Sequence, residues 1–183
     1  AEYGCEVPFL RPAHLASDNA TIIPVIKHAI GELEAVGRYF DAIFLLQPTN
    51  PLRTVTDINQ SIKMLQNSDA DSILSVVKVE DHHPARMKLI GSDGLLKEPP
   101  YAAKIFDAPR QSFDDVYLRN GAVYLFRTSL IKEHDKIMGE TCLPYIIPRE
   151  RGFNIDDEVD FVLIESLLNV NLPQLEEVIR YDR

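Results

Sequence analysis

A short, wholly apolar run set between two amphipathic helical patterns constrains this chain more than any other feature. After Asp41 come Ala42, Ile43, Phe44, Leu45 and Leu46. Such a run, too short for a helix and without polar alternation, predicts a strand buried on both faces. Before it, Ile22, Ile23, Val25, Ile26, Ala29, Ile30 and Leu33 recur at helical spacing. Asp18 to Thr21 supply N-cap candidates there, and Gly37 a stop. After it, Thr54 or Thr56 can cap a helix carrying Ile58, Ile62 and Leu65, and residues 71–79 form the next strand. Helix, strand, helix, strand predicts an α/β fold with a parallel sheet and right-handed crossovers.

The remainder elaborates that pattern without repeats or linkers. Ser92-Asp93-Gly94 is a hairpin turn signal between Arg86–Ile90 and Leu95–Lys97. Residues from about 80 to 115, rich in Pro and charge, form an excursion from the main sheet. Ala122–Phe126 resumes a core strand, a helix follows from about Ser129, and Cys142–Ile147 supplies a last strand. Asp157 to Asp160 resembles a capping box for a helix with Phe161, Ile164 and Leu168 on one face, and Pro173 opens a final helix.

Composition excludes several function classes. At 183 residues, with 45% hydrophobic and 26% charged residues, the chain fits a single globular domain. A net charge of −9 makes it a poor nucleic-acid binder; any phosphate chemistry requires local cations or a metal. No apolar run is long enough for a membrane span and no signal peptide opens the chain. Cys5 and Cys142 form no disulfide framework and suit a reducing cytoplasm. GxxxxGK[ST], GxGxxG and GxSxG motifs are all missing, and the five histidines are too scattered for a zinc site.

Three segments carry candidate chemistry. Gln47-Pro48-Thr49-Asn50-Pro51-Leu52-Arg53 follows the apolar run, where ligands bind in open parallel sheets, and its prolines stiffen a backbone bearing amides and a hydroxyl. A plain Pro-rich turn is the bland alternative. Arg119-Asn120-Gly121 precedes a buried strand; it reads either as a turn or as a place of close backbone approach. Upstream, Arg110-Gln111 offers a carboxylate grip or solvated surface. In Asn154-Ile155-Asp156, extended backbone would turn Asn154 and Asp156 to one face, a donor pair suited to Mg²⁺, while Asp157 and Asp160 cap the following helix.

In order along the chain, six pieces match one family. They are Val7–Pro12 with Leu15–Asp18, Leu46–Thr54, His83-Pro84, Arg110-Gln111, Asn120–Tyr124 and Asn154–Phe161. Together they resemble the N-acylneuraminate (sialic acid) cytidylyltransferases, the CMP-sugar-acid synthetases. The resemblance spans almost the whole chain. It implies a doubly wound, mostly parallel sheet of the nucleotide-diphospho-sugar transferase type. It also implies a homodimer built through the excursion, and CTP and a nine-carbon keto sugar acid as substrates. Carried over by motif, Arg11, Ser17, Ala20 and Thr21 contact cytidine. Gln47, Lys88, Gln111, Arg119, Asn120 and Tyr124 contact the sugar acid. Arg110 and Asp156 are catalytic, and Asn154 and Asp156 hold Mg²⁺.

Asn154 stands where the family usually has Asp, and its basic, glycine-containing phosphate loop has no counterpart here. The chain, opening on Ala1, is therefore expected to begin beyond that loop and to be an incomplete domain, prone to self-association or marginal stability. Two other readings follow. One is a non-catalytic relative that binds sugar acid or dimerises; the other is a nucleotidyltransferase for another nucleotide or a neutral sugar phosphate.

Overall fold

A computed structural model describes residues 4–17, 19–80, 82–100 and 113–169. Arg110, Gln111, the N-cap candidate Asp18 and the helix expected from Pro173 lie outside these residues. The main elements are α1 (Ile22–Ala35), β1 (Ala42–Leu45), α2 (Val55–Gln66), β2 (Ser72–Lys78), β3 (Leu89–Ile90) and β4 (Leu96–Lys97). They continue with β5 (Tyr117–Arg127), α3 (Thr128–His134), β6 (Cys142–Ile146) and α4 (Glu158–Asn169).

Local chemistry sets most boundaries. Thr21 is the N-cap of α1. At the other end Gly37 adopts φ 77°, Arg38 N–H bonds the Leu33 carbonyl and Gly37 N–H that of Glu34, the paired bonds of a Schellman stop. Of the two candidate caps for α2, Thr54 is used. Its Oγ1 accepts from Asp57 N–H (3.2 Å) and Asp57 Oδ2 accepts from Thr54 N–H (2.7 Å). The hairpin predicted around Ser92–Gly94 is present as antiparallel β3 and β4, with Leu89 opposite Lys97 and Ile90 opposite Leu96. Asp157 and Asp160 do cap α4. Only Ile164 on that helix is buried, however, and Phe161 and Leu168 are exposed.

The four main strands are ordered β1-β5-β2-β6. β5 runs antiparallel to β1, pairing Ala42 with Arg127 and Leu45 with Tyr124. The sheet is therefore mixed, where the helix–strand alternation predicted parallel neighbours. A long strand from the second half of the chain has entered between β1 and β2. β1 ends up at the sheet edge, and its four residues are half-buried instead of enclosed on both faces. Arg119–Gly121, expected just before the strand, lie inside β5, which removes the alternative of a plain turn there. Gly121 takes φ 80°, a backbone conformation that favours glycine.

The described residues divide into two compact units, one within 1–74 and 121–145, the other within 75–120 and 146–183. The first holds the main core. Ile26 of α1, Leu74 of β2, Tyr124 and Phe126 of β5, and Leu130 and Ile131 of α3 cluster there. Ile43 and Leu45 of β1 pack against them. In the second unit, Ser75 and Asn120 are buried polar residues, and Gly152 packs close against Val77.

A polar knot joins the starts of β2 and β6 in the first unit. The Asp71 carboxylate accepts from Ser72 Oγ (2.7 Å) and Thr141 N–H (3.0 Å), and Ser72 Oγ accepts from Gly139 N–H (3.1 Å). Burial would raise the Asp71 carboxyl. Hydrogen bonds from Ser72, Thr141 and Glu140 outweigh that effect and hold it below the ordinary 3.8. A depressed carboxyl stabilises the fold above its unfolded value, and that contribution is lost as pH falls through the folded one. Wild type should therefore exceed Asp71→Asn in urea stability above about pH 4. The gap should close at lower pH; a gap constant across that range would refute the assignment.

Candidate functional site

In the first unit, the loop after β1 is fastened at both ends. Asn50 N–H bonds the Gln47 carbonyl (3.3 Å), closing a turn over Pro48 and Thr49, and Asn50 and Leu52 are buried. Arg53 Nη1 donates to the Ala122 carbonyl of β5 (2.9 Å), and Nη2 to the Gln47 carbonyl (3.4 Å). Burial lowers the pKa of this guanidinium, with Asp57 opposing the shift by its negative charge. Asp57 is itself buried and accepts from the Tyr145 hydroxyl (3.0 Å). The Pro-rich segment is thus anchored by the half-buried Arg53 and followed by the buried Asp57, beyond what a surface turn requires.

Gly121 shows why that anchoring matters. A Cβ built there would run into Gln47 Oε1 and come within 3.4 Å of Tyr124 Cε2. The fold therefore brings together Gln47 and Tyr124, two of the expected sugar-acid residues, around a glycine that lets the carboxamide settle on the backbone. Tyr124 is also part of the apolar core. Of the expected cytidine residues, Ser17, Ala20 and Thr21 form the approach to α1, where Ala20 N–H bonds the Ser17 carbonyl (2.9 Å). Arg11 is exposed.

The second unit holds the other expected residues. Asn120 is buried on β5, and its Oδ1 accepts from Ser75 Oγ of β2 (2.5 Å). Arg119 is exposed. Lys88 is ion-paired with Glu98 across the β3–β4 hairpin. Asn154 is half-buried and Asp156 exposed, the latter at a bend. Asp160 Oδ2 accepts from the N–H groups of Asp156 (2.9 Å) and Asp157, while Asp157 Oδ1 accepts from those of Val159 and Asp160. The Asp156 carboxylate takes no part in this cap.

That donor set bears on a metal. Among the described residues no group of three or more His, Cys, Asp or Glu is arranged to hold one. An amide and a carboxylate two residues apart fit only an ion content with few protein oxygens and otherwise water and phosphate, as Mg²⁺ is. A cleft of about 400 Å³ in this unit is lined by Lys78, Glu80, Arg86 and Asp115 and by His83 stacked on Phe113 at 4.8 Å. It contains none of the expected substrate residues. Arg53 and Ser75 are the residues that sequence reasoning passed over. Arg53 stood inside a matched segment, whereas nothing in the pattern marked Ser75.

No protein-family model matches the chain. It is similar to post-translational flagellin modification protein B of Campylobacter coli, 29% identical over 91% of this chain and 70% of that protein. It is similar also to the CMP-N,N'-diacetyllegionaminic acid synthase of Legionella pneumophila, 26% identical over 93% of this chain and 72% of that protein. An N-acylneuraminate cytidylyltransferase of Escherichia coli is 28% identical over 88% of this chain and 36% of its own length. Among the described residues no helix is long and apolar enough to cross a membrane. The similarity extends over about nine-tenths of this chain, and the relatives named as CMP-sugar-acid synthases and N-acylneuraminate cytidylyltransferase support a nucleotidyltransferase enzyme that resembles that family.

Proposed function

We propose that this protein activates a nine-carbon 2-keto sugar acid with CTP, giving the CMP-sugar and pyrophosphate. The observation that carries this reading is the similarity over nine-tenths of the chain to enzymes named for legionaminic and N-acylneuraminic acids. The seating of Gln47 on Gly121 beside Tyr124 supports it, since two separate matched segments meet there.

In this reaction the anomeric hydroxyl of the acid attacks the α-phosphorus of CTP in line, and pyrophosphate leaves. The reaction demands positioning and charge neutralisation more than covalent participation by the protein. Arg11 and the Ser17–Thr21 turn hold the cytidine. Gln47, Asn120 and Tyr124 orient the sugar acid, with Lys88, Arg119, Arg110 and Gln111 as cations and donors for its carboxylate. Asn154 and Asp156 would hold Mg²⁺, whose charge offsets that of the triphosphate. The homodimer belongs to the same reading, and the exposed Ile90 and Leu96 of the β3–β4 hairpin support it. So does a cytoplasmic location, where CTP is available.

Pyrophosphate release from CTP tests the proposal. N-acetylneuraminate, N,N'-diacetyllegionaminate, pseudaminate and a shorter keto-deoxy acid form the panel. CTP-dependent turnover is expected with at least one nine-carbon acid and not with neutral sugar phosphates. No turnover with any acid would sink the reading.

A further inference from the structure

We propose that Arg53 is a positioning residue that sets the Gln47 carboxamide against Gly121 for the sugar acid, an inference that rests on the function proposed above. An arginine in a binding loop of an acidic protein invites the reading of a cation waiting for an anionic substrate. Its geometry points elsewhere. Nη1 and Nη2 donate to the carbonyls of Ala122 and Gln47, so the guanidinium ties the loop after β1 to the middle of β5. The two acceptors flank the same feature. Ala122 directly follows Gly121, and the Gln47 side chain lies on Gly121, close enough that a Cβ would overlap Oε1.

Main chain and side chain of Gln47 are thereby fixed by different means. Arg53 holds the carbonyl, and the bare Gly121 backbone, at φ 80°, receives the carboxamide. A planar guanidinium can serve two diverging carbonyls at once. A lysine ammonium keeps the charge but, as a point donor on a flexible stem, lacks the fixed fork that spans them. Arg53→Lys therefore isolates the bridge from the charge.

The test uses ¹⁵N spectra of the Gln47 side-chain amide pair, identified by its disappearance in Gln47→Glu, and calorimetric titration with CTP and with N-acetylneuraminate. In Arg53→Lys the pair should shift and exchange faster. Affinity for the acid should fall about tenfold, the worth of one hydrogen bond, while CTP affinity stays within about twofold. Gly121→Ala, which leaves Arg53 intact but displaces the carboxamide, should move the same pair and serves if Arg53→Lys folds poorly. An unmoved amide pair in folded Arg53→Lys overturns the proposal, as does equal loss of CTP and acid affinity, which would mean general loosening. A shifted pair in a protein whose wild type binds no sugar acid upholds the positioning role and overturns the substrate reading instead.

Discussion

Asp156→Ala is expected to lower CMP-sugar formation by at least about 10²-fold, and to raise the Mg²⁺ concentration needed for half-maximal rate, with little change in stability. The separation of effects follows from the geometry of the turn before α4. The helix is capped by Asp157 Oδ1 on the N–H groups of Val159 and Asp160, and by Asp160 Oδ2 on those of Asp156 and Asp157. Only the backbone N–H of Asp156 enters this arrangement, so removing its carboxylate leaves the cap whole. The complementary variant, Asp157→Ala, deletes a capping acceptor. It should cost about 1 kcal/mol of stability and leave turnover within a few-fold. Two adjacent aspartates would then separate by function, one serving the phosphates and one serving the helix. Paired melts and Mg²⁺ titrations check this; an Asp156→Ala enzyme as active as wild type would remove Asp156 from the metal site.

The elements most legible in the sequence were those whose cause is local. The Gly37 stop, the Thr54–Asp57 capping box, the Ser92–Gly94 hairpin and the Asp157–Asp160 cap all depend on residues within a few positions of one another. Strand order has no such local record. Nothing in Ala42–Leu45 indicates that its partner comes from residues 124–127, running the other way. The same distance in sequence explains why Asn120-Gly121 could be read either as a turn or as a close backbone approach. Both residues lie inside a continuous strand, where Gly121 at φ 80° leaves room for the Gln47 side chain, 74 positions earlier. Motif order singled out Gln47, Asn120 and Tyr124 as candidates without saying what holds them. Arg53 and Ser75 supply that, and both act through contacts between distant segments.

Phe126→Ala is expected to destabilise the protein by about 3–5 kcal/mol, the cost of removing a fully enclosed aromatic ring and leaving its cavity. Phe126 has no solvent exposure and lies where four elements converge. It sits on β5 opposite Ile43 of β1, with Ile26 of α1 and Leu130 and Ile131 of α3 around it. Because β1 is at the sheet edge and only half-buried, those helices and β5 carry most of the apolar burial in this unit. The cavity thus opens where the structure has least redundancy. Val55, at the exposed start of α2, is the matched control: Val55→Ala should stay within about 0.5 kcal/mol of wild type. Urea denaturation of both variants decides the point. Similar losses in the two would show that the ring is not the centre of the core. A loss confined to Phe126→Ala would tie the stability of the Gln47 loop's partner strand to the packing on its opposite end.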